Sequence, residues 1–510
     1  VYHEPESRSL PPIAGRLLLS LALVKLLFHA LIAGQYGWFR DELYYIDAGK
    51  HLAGGYVEFP PMVALLADFQ RFAFGHSIAA LHVLPALAGA VIVVVTGLMA
   101  RELGGGRTAQ GIAALAALVT PAFLGADSLF TMDAFDELWW TLAAYLLLRI
   151  LATHDQSRTL QDRSRLDTGR LWLLFGLVIG LGLLTKLTIL GYGAAVLIGL
   201  LTMPAGRAEL RAGAPYVAAV LAAAFLIPYI VWQLGHDWAT LTFWHNYGHK
   251  DDPATFLIQV FLLMLPTAAP LWVAGLWYLL RAPVGAPYRA FGWIFLFLFA
   301  VFLLGHAKSY FLVPAFPPLL AAGAAALERR LQRRPGTPLL SVTIGALVLG
   351  GVLLAPVVAP VLPARTLAAI MSSPIQPVAD RFGWPPFTAA VAAVYRHLPP
   401  SAQAHTTILT GNYGETAALD LLGPPYHLPT AISPHNTYYF WGLAVRPGSV
   451  VIATGYQRAD LRPYFRSVRQ VAVIPAQDGI QNQETGGPVF ICTDPTMPWP
   501  TVWVRLKNFS

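Results

Sequence analysis

Apolar runs of about 20 residues, long enough to cross a bilayer, recur in this chain from near its N-terminus to about residue 362. No other feature constrains the fold as strongly. Inside hydrocarbon every backbone N–H and C=O must be paired within the protein, so such a run folds as a helix. Eleven spans are expected, at roughly 16–36, 78–100, 109–126, 129–150, 171–185, 187–203, 214–233, 256–280, 289–304, 310–327 and 338–362. The continuous stretch 171–203 is divided at Thr185-Lys186, because a lysine is costly at mid-bilayer depth and tolerable at a tight external turn. Only 12% of the residues are charged, too few to cover a soluble enzyme of this size.

Charge orients the spans. With the N-terminus in the cytoplasm, alternate loops carry Arg101 and Arg107; Arg158, Arg163, Arg165 and Arg170; Arg207 and Arg211; Arg281; and Arg329, Arg330, Arg333 and Arg334. The opposite loops are poor in arginine and rich in Asp, Glu and His, which is the positive-inside pattern. An odd number of spans then places everything after 362 outside. The net charge of +7 therefore reflects membrane topology; no zinc-finger spacing or basic helix accompanies it, and nucleic acid is set aside. The first apolar run follows Arg8 and Arg16 without a small-residue cleavage site, and reads as a retained helix that also targets the chain. Cys492 is the only cysteine, which excludes an intrachain disulfide and a cysteine metal site.

The expected architecture is thus a polytopic helical membrane domain over 1–362, with a first external loop at 37–77, and a linker and outer α/β domain over 363–510. In the tail, Thr406–Leu409, Ser449–Ala453 and Val471–Ile474 read as short strands, with helices near 386–398 and 415–422.

Four places carry candidate chemistry. The first external loop reads Trp38-Phe39-Arg40-Asp41-Glu42-Leu43-Tyr44-Tyr45 and then Tyr56-Val57-Glu58-Phe59-Pro60-Pro61. Its carboxylates sit where a lipid-linked substrate presents its head group, and glycosyl transfer to a hydroxyl needs a base; the plain alternative is an acidic helix end. Asp133, Asp136 and Glu137 share one helical face near the start of the fourth span, where ionisable groups usually face a bundle interior or a wet cavity. Asp127 just before them could be a helix cap. The fourth external loop places His236, Asp237, His245, His249, Lys250, Asp251 and Asp252 among Trp238, Trp244 and Tyr247, a pattern suited to sugar or phosphate contact or to an ordinary membrane interface. His245 and His249 at i, i+4 could also ligate a metal on a helix, although no HExxH motif is present. Finally, Lys308-Ser309-Tyr310 opens a late span, where the lysine either snorkels or neutralises a lipid phosphate. Lys25, mid-way along the first span, has no assigned role.

An Asp-Glu at the end of the first helix, an aromatic-Val-Glu-x-Pro-Pro segment and a Lys-x-Tyr-x-x-x-Pro start to a late helix occur here in that order. The combination resembles the bacterial branch of glycosyltransferase family 39, which includes protein O-mannosyltransferases and the aminoarabinose transferases that modify lipid A. In the tail, Gly411-Asn412-Tyr413-Gly414-Glu415 and Ser433-Pro434-His435-Asn436-Thr437-Tyr438-Tyr439 with Trp441 resemble the C-terminal part of bacterial members.

The resemblance implies a GT-C fold, a polyprenyl-phosphate sugar donor, a lipid, glycan or protein acceptor, inversion at the anomeric carbon, and no obligatory metal or cofactor. It makes Asp41 the catalytic aspartate, with Glu42 beside it, and Glu58 the acidic residue before the Pro-Pro pair. The substrate-binding set expected around them is Arg40, Tyr45, Glu58, Asp133, Asp136, His245, Lys308 and Tyr310. Phe59 departs from the aminoarabinose transferases, which carry lysine there; Lys308 or Arg40 would have to supply that charge. The expected location is the bacterial inner membrane, tail outward. The competing reading, a secondary transporter or flippase, lacks an inverted repeat and does not account for the outer domain.

Overall fold

The computed structural model describes residues 10–156, 161–247, 251–371, 374–442 and 448–510. Contacts partition the chain into two compact units, one built from residues 1–32, 82–228 and 249–359, the other from 33–81, 229–248 and 360–510.

Among the described residues, the regular elements of the first unit are all helices. Each of the eleven expected apolar stretches contains helix. Among the described residues, five helices are long and apolar enough to cross a membrane: Gly15–Ile32, Ile78–Glu102, Asp167–Thr185, Pro283–Leu304 and Leu339–Val358. The number rises to eight if each of three bent pairs is one span. The sharpest bend, 81°, separates Pro253–Leu263 from Pro266–Arg281. Pro266 cannot donate a helical hydrogen bond, and Leu265 before it has a φ of 61°, so the helix breaks there. Met132–Gln156 is equally long, but it carries Asp133, Asp136, Glu137 and Arg149. The expected turn at Thr185-Lys186 is present, between Gln161–Thr185 and Ile189–Leu201.

Gly15–Ile32 is inside-out relative to a water-soluble helix. It buries Lys25 and His29 while Leu19 is 66% and Leu31 79% exposed, as a helix meeting lipid on that face would be. Lys25 now has a partner: its Nζ lies 2.6 Å from Asp127 Oδ2 and donates to the Phe123 carbonyl at 3.0 Å, with both side chains sealed from solvent. Gly89 makes room for the pair, since a Cβ there would overlap the Asp127 carboxylate.

The second unit contains a five-stranded mixed sheet. Its strands are β1 (Thr406–Thr410), β2 (Ala431–Ile432), β3 (Val450–Thr454), β4 (Phe465–Val473) and β5 (Pro488–Pro495), ordered β2-β1-β3-β5-β4. β1 pairs in parallel with β2 and β3, whereas β5 runs antiparallel to β3 and β4. The helices expected near 386–398 and 415–422 are Trp384–Arg396 and Tyr413–Leu422.

The linear boundary at 362/363 gives way to an interleaved one, because residues 33–81 and 229–248 pack with the tail. Their backbone requires it. The Val57 N–H donates to Thr437 Oγ1 at 3.0 Å, while the Val57 carbonyl accepts from Thr240 Oγ1 at 2.7 Å, so one buried peptide residue joins three chain segments.

Within the helical unit, Ala269–Arg281 and Pro317–Arg333 meet backbone to backbone. A Cβ on Gly275 would strike the Leu319 carbonyl oxygen, and one on Gly323 the Leu271 carbonyl oxygen. Small residues at such crossings let the main chains approach. Gly275→Val should therefore destabilise by about 1–3 kcal/mol, the usual cost of overpacking a core, read as a lower melting temperature in detergent. An unchanged melting temperature would show that the crossing relaxes freely.

Candidate active site

The first-loop carboxylates lie on Arg40–Lys50, in the interleaved unit. Glu42 Oε2 accepts the Phe39 N–H at 2.9 Å, closing the first turn of its own helix, and its side chain is fully buried. Asp41 differs: its side chain is 29% exposed, and Oδ1 accepts the Tyr413 hydroxyl at 2.7 Å. Of the adjacent pair, only Asp41 is open to an incoming hydroxyl.

Arg40 is held within the same unit. Nη2 lies 3.6 Å from Asp380 Oδ2, Nη1 donates to Gln483 Oε1 at 2.5 Å, and the guanidinium stands 5.4 Å over the Tyr413 ring. Its charge is thus largely spent on protein partners. Burial pushes the Asp380 carboxyl up to about 6, against the pull of Arg40.

Both Glu58 oxygens are engaged. Oε2 accepts the Tyr44 hydroxyl at 2.8 Å and Oε1 accepts the Asn436 amide. Burial raises the Glu58 carboxyl to about 7, although both donors favour the ionised form. Tyr45 is buried edge-on to Phe59, with ring centroids 5.0 Å apart. Phe59 is itself enclosed by Tyr44, Tyr45 and Tyr56.

The helical unit gathers a second set at the start of Met132–Gln156. Asp133 pairs with Lys186. Asp136 accepts from Trp140 Nε1 and Thr188 Oγ1, both at 3.0 Å, and Glu137 is buried beside it. The Lys186 ammonium sits 4.9 Å over the Tyr310 ring and 4.5 Å over the Phe311 ring; Lys308 lies 5.8 Å over Tyr310. Asp133, Asp136, Lys308 and Tyr310 thus fall in one neighbourhood, with Lys186 as an added cation that the sequence marked only as a turn residue.

His245 is exposed on Ala239–Asn246, and its i+4 partner His249, with Lys250, lies outside the described residues. Among the described residues no group of three His, Cys, Asp or Glu side chains could hold a metal ion. Sequence reasoning missed Asp380 and Gln483 altogether. It quoted Tyr413 and Asn436 only as parts of motifs.

Comparison with known proteins bears on this arrangement. Residues 58–232 match the family model described as dolichyl-phosphate-mannose-protein mannosyltransferase. ArnT from Cupriavidus metallidurans in the apo state superposes with a TM-score of 0.62 at 16% identity, covering 94% of this chain and 97% of that one. The chain therefore shares the fold of that protein. The same ArnT bound to undecaprenyl phosphate gives 0.59 at 16% identity, again over 94% and 97% of the two chains. The mycobacterial arabinofuranosyltransferase AftD gives 0.52 at 13% identity, over 96% of this chain and 41% of that one. The resemblance read from the motifs is borne out. No curated protein matches the chain in sequence.

The Glu58 environment predicts a pH dependence. Its folded value of about 7 exceeds the unfolded value of 4.5, so folding favours the protonated form. The stabilisation is fully present below pH 4.5 and is lost as pH rises through about 7. Each pH unit separating the two values is worth about 1.4 kcal/mol, so the swing is on the order of 3–4 kcal/mol. The melting temperature should fall between pH 5 and pH 8, and Glu58→Gln should flatten that slope. An equal slope in both proteins would remove Glu58 as its source.

Proposed function

We propose that this chain is a membrane glycosyltransferase. It transfers a sugar from a polyprenyl-phosphate donor to a hydroxyl of a lipid, glycan or protein acceptor at the non-cytoplasmic face of the bacterial inner membrane. The observation that carries the reading is the partly exposed Asp41, hydrogen-bonded to the Tyr413 hydroxyl, at the head of a helix whose neighbouring carboxylate is consumed as a cap. The solved complex of the similarly folded ArnT with undecaprenyl phosphate supports the donor class.

In the step itself, the acceptor oxygen bonds to the anomeric carbon as Asp41 takes the hydroxyl proton. The anomeric C–O bond to the lipid phosphate breaks on the opposite side, and its electron pair leaves with the phosphate, so the centre inverts. No resident cofactor is assigned; the lipid-linked sugar is a substrate.

The topology belongs to the same proposal: eleven crossings, N-terminus inside, tail outside. In a Cys492→Ser background, Thr337→Cys and Ser467→Cys, both at exposed positions, should react with an impermeant maleimide from opposite sides of sealed vesicles. Reaction of both from one side would refute it.

The decisive test of activity uses the full chain in liposomes with a panel of undecaprenyl-phosphate pentoses, aminopentoses and hexoses, and a bacterial envelope extract as acceptor. Release of undecaprenyl phosphate is the readout. Asp41→Asn keeps the size of the side chain but cannot take the proton, so turnover should fall about 10²–10⁴-fold with donor binding retained. Glu42→Gln should act mainly on stability. Wild-type turnover in Asp41→Asn would place the base elsewhere.

A further inference from the structure

The segment Gly411–Glu415 has one unusual property: it sends a half-buried tyrosine hydroxyl from the tail onto the carboxylate assigned as the base. We propose that Tyr413 is the positioning residue of Asp41, fixing the plane of that carboxylate so that it meets the acceptor's proton. The proposal rests on Asp41 being the base.

Everything around Tyr413 restrains it. Its ring stacks on Tyr44 with centroids 4.8 Å apart and on His435 at 5.4 Å, the latter with planes only 6° from parallel. Its own N–H donates to His435 Nδ1 at 3.2 Å, and His435 Nε2 faces the Ser510 carbonyl at 3.2 Å, so the imidazole is neutral with its proton on Nε2. Burial holds His435 down at about 4, which keeps that tautomer through the physiological range. One residue earlier, Asn412 caps the helix by accepting the Glu415 N–H at 2.9 Å. One residue later, Gly414 lets the helix close on the first loop, because a Cβ there would overlap Arg40 Cγ. The motif quoted from the sequence is therefore a mount: a cap, a hydroxyl and a gap.

A core tyrosine needs none of this alignment. Here the hydroxyl is aimed at Asp41 Oδ1 at 2.7 Å, and burial together with the Asp41 charge keeps the phenol protonated as a donor. Such a donor fixes the carboxylate's orientation and favours its ionised form. Other groups acting on Asp41 include Arg40, with Nε at 3.9 Å, and the carboxylates Asp380 and Glu58, which interact with it electrostatically.

A substrate-free test uses the full chain in nanodiscs. Carbodiimide modifies protonated carboxyls, so the pH dependence of Asp41 labelling, mapped by peptide mass spectrometry, reports its protonation. Tyr413→Phe keeps the stacking and removes the donor; the labelling midpoint should rise by roughly 0.5–1 pH unit. Fluorotyrosine at position 413, a stronger donor, should move it down. Midpoints unmoved in both proteins would overturn the contact. With the undecaprenyl-phosphate sugar panel, Tyr413→Phe should lower kcat about 10-fold at unchanged donor KM, and should cost nothing further in an Asp41→Asn background. A further loss there would overturn action through Asp41. Wild-type turnover in Asp41→Asn would overturn the base assignment, and the positioning role with it, while leaving the labelling shift intact.

Discussion

A charge removed from water must meet a counter-charge, and the helical unit is organised around one such meeting. Lys25 and Asp127 form an ion pair sealed from solvent, and the lysine's remaining reach is taken by the Phe123 carbonyl. Deleting one partner of a buried pair leaves an uncompensated charge, at a typical cost of about 3–5 kcal/mol. The pair therefore pins the first helix against the turn that leads into Met132–Gln156. The acidic face of that helix inherits its position from this contact, and Asp133 and Asp136 then find Lys186, Thr188 and Trp140.

In the interleaved unit the equivalent constraint is satisfaction of neutral polar groups. The peptide of Val57 is buried and the side chain of Glu58 half-buried, and each is answered from the distant segment Asn436–Thr437. Leaving any one of these groups unpaired costs about 1–3 kcal/mol. Between its helices Arg40–Lys50 and Met62–Phe74, the first loop relies on the tail to complete its hydrogen bonding.

The division between what could and could not be read from the sequence follows from the range of the interactions. Apolar runs and turn lysines are local signals, so the eleven helical stretches and the break at Thr185-Lys186 were legible. So were β1, β3 and two tail helices. β4 was seen only in its last residues because Arg466, Arg469 and Gln470 hide an edge strand among polar side chains. β5 begins at a proline and ends Thr-Asp-Pro, which reads as a loop. The separate fates of Asp41 and Glu42 were not legible at all. They depend on which oxygen meets Phe39 N–H and which meets a hydroxyl 372 positions away. Spacing showed that two carboxylates were present, and only tertiary contact distinguished the cap from the exposed group.

The three-segment construction of the second unit bears on how such a chain can change over evolutionary time. A tail that packed only upon itself could be exchanged between relatives like a cassette, with one junction to repair. Here a replacement tail would also have to supply a threonine for the Val57 N–H, an amide for Glu58 and a phenol for Asp41, or bring the matching loops with it. Recombination at a single crossover would separate those partners. Diversification of this architecture is thereby steered toward point substitutions and concerted change across all three segments.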